Sequence, residues 1–247
     1  MKIAVISDIH GNLEALEAVM EDIEKENCEK ILVLGDYAMA GPEPQSVVDY
    51  FFKKQFDDKF VMIQGNTDLM IADYNEELYS TLKSKAPIMA EALKNDAKIL
   101  NPIQKDFLKN LPIQLQVELE GVKILLVHGS PRKNNEDISP DLPLVEVEAM
   151  LENVEADVVV CGHTHLPCGF QTSKKQTVVN VGSVGRPFTP EPKACYLKIT
   201  ISDGKTLFEH KFVKYNKEQA SAKLRKREFS GAEKLADMLL NPTERHF

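Results

Sequence analysis

The sequence predicts an α/β protein in which parallel strands near the N-terminus give way to antiparallel strands toward the C-terminus. Short runs rich in Val, Ile and Leu occupy positions 3–7, 31–34, 60–64, 123–127 and 157–161, each with the length and composition of a buried strand. Between the first three lie segments 13–26 and 45–53, and in the former Leu13, Leu16, Val19 and Ile23 recur at helical spacing. Such alternation implies βαβ crossovers and parallel pairing. After His165 the pattern changes to strand-like runs at 177–181, 194–201 and 207–213, joined by turns such as Ser202-Asp203-Gly204-Lys205, which reads as antiparallel.

Two segments stand apart from this alternation. Positions 69–110 are richer in Ala, Lys, Glu and Met than their flanks and read as a helical insertion. Within it, Asn101-Pro102-Ile103-Gln104 has the form of a cap, a first-turn proline and an N3 glutamine. The insertion leaves the chain directly after Asp68, so it is either a lid or side wall over a site, with Tyr74 and Tyr79 available to stack on a base, or a helix pair packed on the sheet edge. Positions 217–247 read as a C-terminal helical extension of the same single domain, 1–247. Its basic run, Lys223 to Arg227, stands among Glu218, Glu228 and Glu233 and reads as a solvated helical face.

Each of these five short strand-like runs ends in, or is directly followed by, residue types that bind metals. They are Asp8-Ile9-His10, Gly35-Asp36, Gly65-Asn66-Thr67-Asp68, His128 and Gly162-His163-Thr164-His165. One Asp or His after a strand is ordinarily a loop residue or a cap, but five in succession at strand ends would meet along the carboxyl edge of a sheet. Two Asp, one Asn and four His make a nitrogen and oxygen set suited to Mn, Fe, Zn, Co or Ni rather than to Ca or plain Mg. Seven side chains exceed the needs of one ion, whereas two ions about 3.5 to 4 Å apart sharing a carboxylate would use them all. Such a pair clamps a phosphoryl group and turns water into a nucleophile near neutral pH, which points to phosphate ester or anhydride hydrolysis.

The five blocks resemble, in order, the pattern D-x-H, G-D, G-N-H-D, H and G-H-x-H of the calcineurin-like metallophosphoesterases, over roughly residues 1–200. The resemblance implies a four-layer αββα sandwich of two mixed sheets flanked by helices. It implies one divalent transition-metal ion on Asp8, His10, Asp36 and His165 and a second on Asp36, Asn66, His128 and His163, manganese being the first choice. Asp36, Asn66 and His128 take the catalytic roles in that scheme, Asp36 bridging the ions together with a hydroxide that attacks phosphorus in line. Asp36-Tyr37 with Gly41-Pro42-Glu43-Pro44, His128-Gly129-Ser130-Pro131-Arg132 and Asn180-Val181-Gly182-Ser183-Val184-Gly185 resemble the small bacterial and archaeal phosphodiesterase branch, which includes diadenosine tetraphosphate hydrolases.

Where the phosphomonoesterase and protein phosphatase relatives have His in G-N-H-D, this chain has Thr67. A neutral hydroxyl is too weak an acid to protonate a leaving alkoxide, so the exchange favours diesters with good leaving groups and phosphoanhydrides over simple monoesters. A phosphomonoesterase is the alternative, and a non-catalytic scaffold on the same fold a third reading. Candidates for gripping the substrate are Arg132, Arg186 and Asn12. Arg186 follows a Gly-Ser-Val-Gly turn whose N–H groups are placed to face an anion, and Asn12 equally suits the N-cap of the helix beginning at Leu13. Cys161 to Cys168 also offers a zinc-knuckle spacing, but Cys161 belongs to an apolar run. His210 and His246 read as structural or solvated.

Composition bounds the rest. The chain of 247 residues is 43% hydrophobic, enough for one large core with an insertion. No apolar stretch approaches the ~20 residues of a membrane span, and no signal peptide precedes the first strand, so a cytoplasmic location is expected. Cysteines at 28, 161, 168 and 195 show no disulfide framework. A net charge of -8 lacks the broad basic footprint of a long nucleic-acid binder and leaves small phosphorylated substrates, nucleotides among them, as the expected partners.

Overall fold

Alternate residues of the first strand, β1 (Lys2–Ile6), face two separate apolar cores in the computed structural model, which describes residues 1–241. The period of two along a strand imposes that split: Ile3 and Val5 meet a second sheet, while Ala4 and Ile6 lie under helices. The first sheet also contains β2 (Lys30–Val33), β3 (Phe60–Met62), β9 (Ala194–Ser202) and β10 (Lys205–Val213), in the order β10-β9-β1-β2-β3. The second contains β4 (Gln114–Leu119), β5 (Val122–Val127), β6 (Val158–Cys161), β7 (Cys168–Gln171) and β8 (Thr177–Asn180), in the order β4-β5-β6-β8-β7. Leu32, Leu126, Val160 and Leu197 from both sheets fill the core between them.

Helices close the outer faces. The first sheet is covered by α1 (Leu13–Lys25), α2 (Pro44–Phe52), α5 (Pro87–Ile99), α6 (Pro102–Asn110), α8 (Lys217–Arg225) and α9 (Ala232–Leu240). The second is covered by α7 (Leu144–Met150), whose Val147 and Met150 pack on Leu125, Val127 and Val159. The expected four-layer arrangement of two mixed sheets is therefore present. Segment 69–110 is helical: after α3 (Asn66–Ala72) come α4 (Glu76–Lys85), α5 and α6. Asn101 and Gln104 form the expected reciprocal cap of α6, each side chain accepting from the other's backbone N–H at 3.0 and 2.9 Å.

Two local readings are corrected, and one strand is added. Segment 177–180 runs parallel to β6, because the chain first crosses to the edge as β7 and returns between the two; only its pairing with β7 is antiparallel. Strand β4 was not anticipated, because its largely exposed position gives it a polar composition. The basic run is not a solvated face: Lys223 pairs with Glu14 and Glu43, Arg225 with Glu233 and Asp237, and Arg227 with the fully buried Asp96. The last positions of the expected extension, 242–247 with His246 among them, lie outside the described residues. No helix among the described residues is long and apolar enough to cross a membrane.

Candidate metal centre

Parallel pairing of β1 with β2, and of β5 with β6, delivers four chain segments to one edge. The two sheets are stitched together there: Asp8 N–H donates to Gly35 O, Gly162 N–H to His128 O, and His163 N–H crosses between sheets to Asp8 Oδ2 at 3.0 Å. Gly162 is required at this crossing, since a Cβ would stand 2.1 Å from Ser7 Oγ. Asp8, His10, Asp36, His163 and His165 all have φ between 47° and 65°, in the left-handed region. Each such residue costs about 1–2 kcal/mol, so the fold tolerates strain in order to aim these side chains inward.

Their imidazoles share one orientation device. His10 Nδ1 lies 3.0 Å from Met39 O, His165 Nδ1 2.6 Å from Arg186 O and His128 Nδ1 2.8 Å from Leu34 O. A nitrogen facing a carbonyl oxygen must carry the proton, so in all three rings Nε2 is the atom turned toward the cluster. His10 Nε2 and His165 Nε2 stand 3.1 Å apart. Asp8 Oδ1 is buried without a hydrogen bond and lies 3.2, 3.8 and 3.9 Å from Nε2 of His165, His10 and His128. Asp36 Oδ1 accepts from Thr67 N–H, while its Oδ2 sits 3.5 Å from His128 Nε2 and 3.7 Å from His10 Nε2. Asn66 Oδ1 is 3.0 Å from His128 Nε2. Two groups, Asp8 with His10 and His165 and Asp8 with Asp36 and His128, each bring three ligand atoms within 4.8 Å of one another.

Electrostatics prepare these groups for a cation. Burial and the neighbouring His165 lower His10 to about 4, and burial and His128 lower His163 to about 4, so both rings are neutral at pH 7. Burial alone would raise Asp36, but the charge and hydrogen bond of His128 hold it at about 2. Burial opposes a charge on His128 as well, yet Asp36 and Asp8 raise it to about 10, so a proton occupies His128 when no cation does. Two carboxylates gathered among inward-turned imidazole nitrogens, with Asp8 Oδ1 lacking a hydrogen bond, fit a divalent cation.

Around the cluster is a cleft of about 380 Å³ lined by His10, Asp36, Asn66, Thr67, His163, His165 and Arg186. Its other wall is apolar: Met70 of α3, Leu82 of α4 and Met89 of α5, with Met39 and Phe188. Helical segment 69–110 therefore forms a side of the cleft. Tyr74 and Tyr79 do not line it; Tyr79 donates to Glu91 and lies under Lys83 and Lys94.

The proposed grip residues separate. Arg186 reaches the cleft, its guanidinium 3.4 Å from Met89 Sδ. Arg132 is not brought there: it pairs with Glu136 and lines a different hollow beside α7. Asn12 is buried, its Oδ1 capping α1 at Ala15 and its amide donating to Gly185 O, so its polar atoms serve the fold. In the Gly-Ser-Val-Gly turn, the N–H groups of Gly182, Val184 and Gly185 are committed to Asn180 Oδ1, Ser7 O and Asp8 O rather than to an anion. The zinc-knuckle spacing is not gathered into a site: Cys161 is buried in β6, and among the described residues neither Cys161 nor Cys168 joins a group of metal-ligating atoms. His210 donates to or accepts from no cluster residue and meets Asn180 O.

Three residues serve the cluster without having been singled out. Asp68 accepts from the N–H groups of Gly65, Asp36 and Tyr37 at 2.8, 2.8 and 3.0 Å, fastening the β2 loop to the β3 loop. Asn180 donates to Gly162 O and Thr164 Oγ1 and so holds the turn carrying His163 and His165. Asp137 Oδ1 lies 3.5 Å from His163 Nε2. The motif letters G-N-T-D and N-V-G-S contained the first two, whereas Asp137 stands in an irregular loop without a spacing signal.

Residues 1–204 match the family model for the calcineurin-like phosphoesterase superfamily domain. An uncharacterized protein of Methanocaldococcus jannaschii is 29% identical over 212 residues, 78% of this chain and 80% of that one. Among solved structures, a hypothetical protein from Pyrococcus horikoshii has a TM-score of 0.85 at 24% identity over 99% of both chains. A metallophosphoesterase from Sphaerobacter thermophilus has a TM-score of 0.77 at 23% identity, covering 97% of this chain and 98% of that chain. At these identities the two structures speak for the fold.

Proposed function

The chain belongs to the calcineurin-like phosphoesterase superfamily, and from that premise we propose that it hydrolyses phosphodiesters or phosphoanhydrides with two divalent transition-metal ions, manganese first among them. The observation that carries this reading is the unpartnered Asp8 Oδ1 among three imidazole Nε2 atoms. Asp8, His10, Asp36 and His165 would hold one ion, and Asp36, Asn66, His128 and His163 the other. When bound, the ions supply positive charge to the phosphoryl oxygens and make water acidic enough to attack near neutral pH.

The chain's own groups set what can react. Asp36 Oδ2 lies between His10 and His128, so its carboxylate would be shared by the two ions. Arg186 at the cleft rim supplies a fork for a phosphate oxygen. Thr67 Oγ1 is turned to Ala38 O at 3.4 Å and has no acidic proton to deliver, so the leaving group must depart as a stable anion. Nucleotides and polyphosphates meet that demand, and the wall of Met70, Leu82 and Met89 gives the organic part of such a substrate an apolar surface. Dinucleoside polyphosphates such as diadenosine tetraphosphate satisfy both requirements.

The test is to assay Mn-loaded protein on bis(4-nitrophenyl) phosphate and on a simple alkyl monoester, with a chelated control. The diester should be cleaved at least about a hundredfold faster, the scale of one missing general acid. Equal rates would overturn the leaving-group argument, and chelator-insensitive hydrolysis would overturn the metal reading.

A further inference from the structure

The loop that carries Asp36 is held by residues remote from the cluster. Three of its members, Asp36, Met39 and Ala40, have positive φ (55°, 79° and 66°) without being glycine, so the loop needs an external restraint to stay in place. It lies directly on the His10 segment. Gly11 N–H donates to Tyr37 O, His10 N–H to Asp36 O, and a Cβ on Gly41 would meet His10 O at 1.5 Å. Met39 is central: its carbonyl takes the His10 Nδ1 proton at 3.0 Å, while its own N–H donates to Asp96 Oδ2 at 2.8 Å.

Asp96 is fully buried on α5 and would lack a counter-charge but for Arg227, which pairs with its other oxygen. The Arg227 side chain is only 8% exposed. It also donates to Gly41 O at 2.7 Å and to Asn95 Oδ1, so a single guanidinium ties the loop to α5 at Gly41 and, through Asp96, at Met39. Arg227 lies beyond residue 204, where the family match ends.

We propose that Arg227 and Asp96 are positioning residues for the metal centre: the pair locks Met39 so that its carbonyl fixes the proton of His10 on Nδ1 and leaves Nε2 turned to the cation. This rests on the metal reading of the cluster. The C-terminal extension is thus part of the site's apparatus rather than an appendage, and the route runs from Arg227 through Asp96, Met39 N–H and Met39 C=O to His10.

The test uses the full chain with Arg227→Gln, Arg227→Lys and Asp96→Asn, and Arg225→Ala as the control, since among the described residues Arg225 pairs with exposed Glu233 and Asp237 on α9. Mn²⁺ binding is followed by loss of the free-ion EPR signal, and the His10 tautomer by long-range ¹H–¹⁵N correlation in the cation-free protein at pH 7.5. Arg227→Gln and Asp96→Asn should weaken binding of the first ion about 10- to 100-fold, the scale of losing support behind a metal ligand, and should give His10 a mixture of tautomers. Arg227→Lys should recover part of the affinity, and Arg225→Ala should match the parent. Unchanged affinity with a pure Nδ1–H tautomer in Arg227→Gln would overturn the proposal. If that variant fails to fold, the same two readouts on Asp96→Asn decide. Should the parent bind no Mn²⁺, the metal reading fails, and the tautomer alone still supports or overturns the lock.

Discussion

Asp68 offers the sharpest test of how the cluster is built, because its carboxylate takes three buried backbone N–H groups, from Gly65, Asp36 and Tyr37. Asp68→Ala leaves all three donors without an acceptor, at about 1–3 kcal/mol each. Water entering the vacated space would satisfy part of that demand, so a net loss of about 3–5 kcal/mol is expected, a large share of the ~5–15 kcal/mol that holds a domain folded. Asp68→Asn keeps one acceptor oxygen, which can serve the paired Gly65 and Asp36 donors and forsake only Tyr37. Its cost should be about 1–2 kcal/mol, further reduced because the charge facing Asp36 is gone. The assay is urea unfolding followed by circular dichroism at pH 7.5, with Mn²⁺ affinity measured on the same samples. Since the freed segments carry Asp36 and Asn66, affinity should fall about 10- to 100-fold in the alanine variant. An alanine variant within about 1 kcal/mol of the parent and with unaltered Mn²⁺ binding would refute the fastening role.

Other outcomes follow from the same geometry. Thr67→His restores an acidic proton at the cleft wall and should raise turnover of alkyl monoesters about 10²-fold in steady-state assays with Mn²⁺, leaving activated diesters nearly unchanged; no gain would mean that Thr67 does not limit the leaving group. Cation-free protein should be most stable near pH 6.5 in urea titrations. His128, raised to about 10, contributes stability that is complete below the unfolded value of 6.5 and is lost as pH climbs through 10. His10 and His163, lowered to about 4, stay neutral while the unfolded chain takes up protons, so stability also falls as pH drops from 6.5 toward 4. Saturating Mn²⁺ should abolish the alkaline loss, because the cation replaces the His128 proton, and binding should release that proton to buffer. A profile flat between pH 5 and 9 in chelator would contradict these assignments.

The gathering of Asp8, His10, Asp36, His128 and His165 was legible because each follows a run of Val, Ile and Leu that only a buried strand explains, and parallel strands bring their carboxyl ends to one edge. Helix periodicity marked α1, and Asn101 with Gln104 marked the start of α6. The sheet partner of β8 was not legible: four residues, Thr177–Asn180, carry no sign of which neighbour they join, and the detour through β7 decides it. Of the grip residues, Arg132 does not line the cleft, for a related reason. Arg132 shares a motif with His128, but Glu136, one helical turn on in sequence, takes its guanidinium and turns it from the cleft. Arg227 was hidden in the opposite way, since a basic run beside glutamates looks solvated until Asp96, more than a hundred positions earlier, is seen buried against it. Long-range ion pairs leave no local pattern, whereas strand-end motifs do.

The central claim is that the strand-end cluster binds two cations and cleaves phosphoanhydride or diester bonds, with Asp36 shared between the ions. The most direct measurement incubates parent protein and Asp36→Asn with Mn²⁺ and diadenosine tetraphosphate, resolves the nucleotides by chromatography, and counts bound manganese on both. The parent should hold two ions per chain and release ADP alone or ATP with AMP. Asp36→Asn should keep its fold, lose at least one ion, and lose about 10³-fold in rate, equivalent to about 4 kcal/mol of transition-state stabilisation. Undiminished turnover and full manganese content in Asp36→Asn would contradict the account.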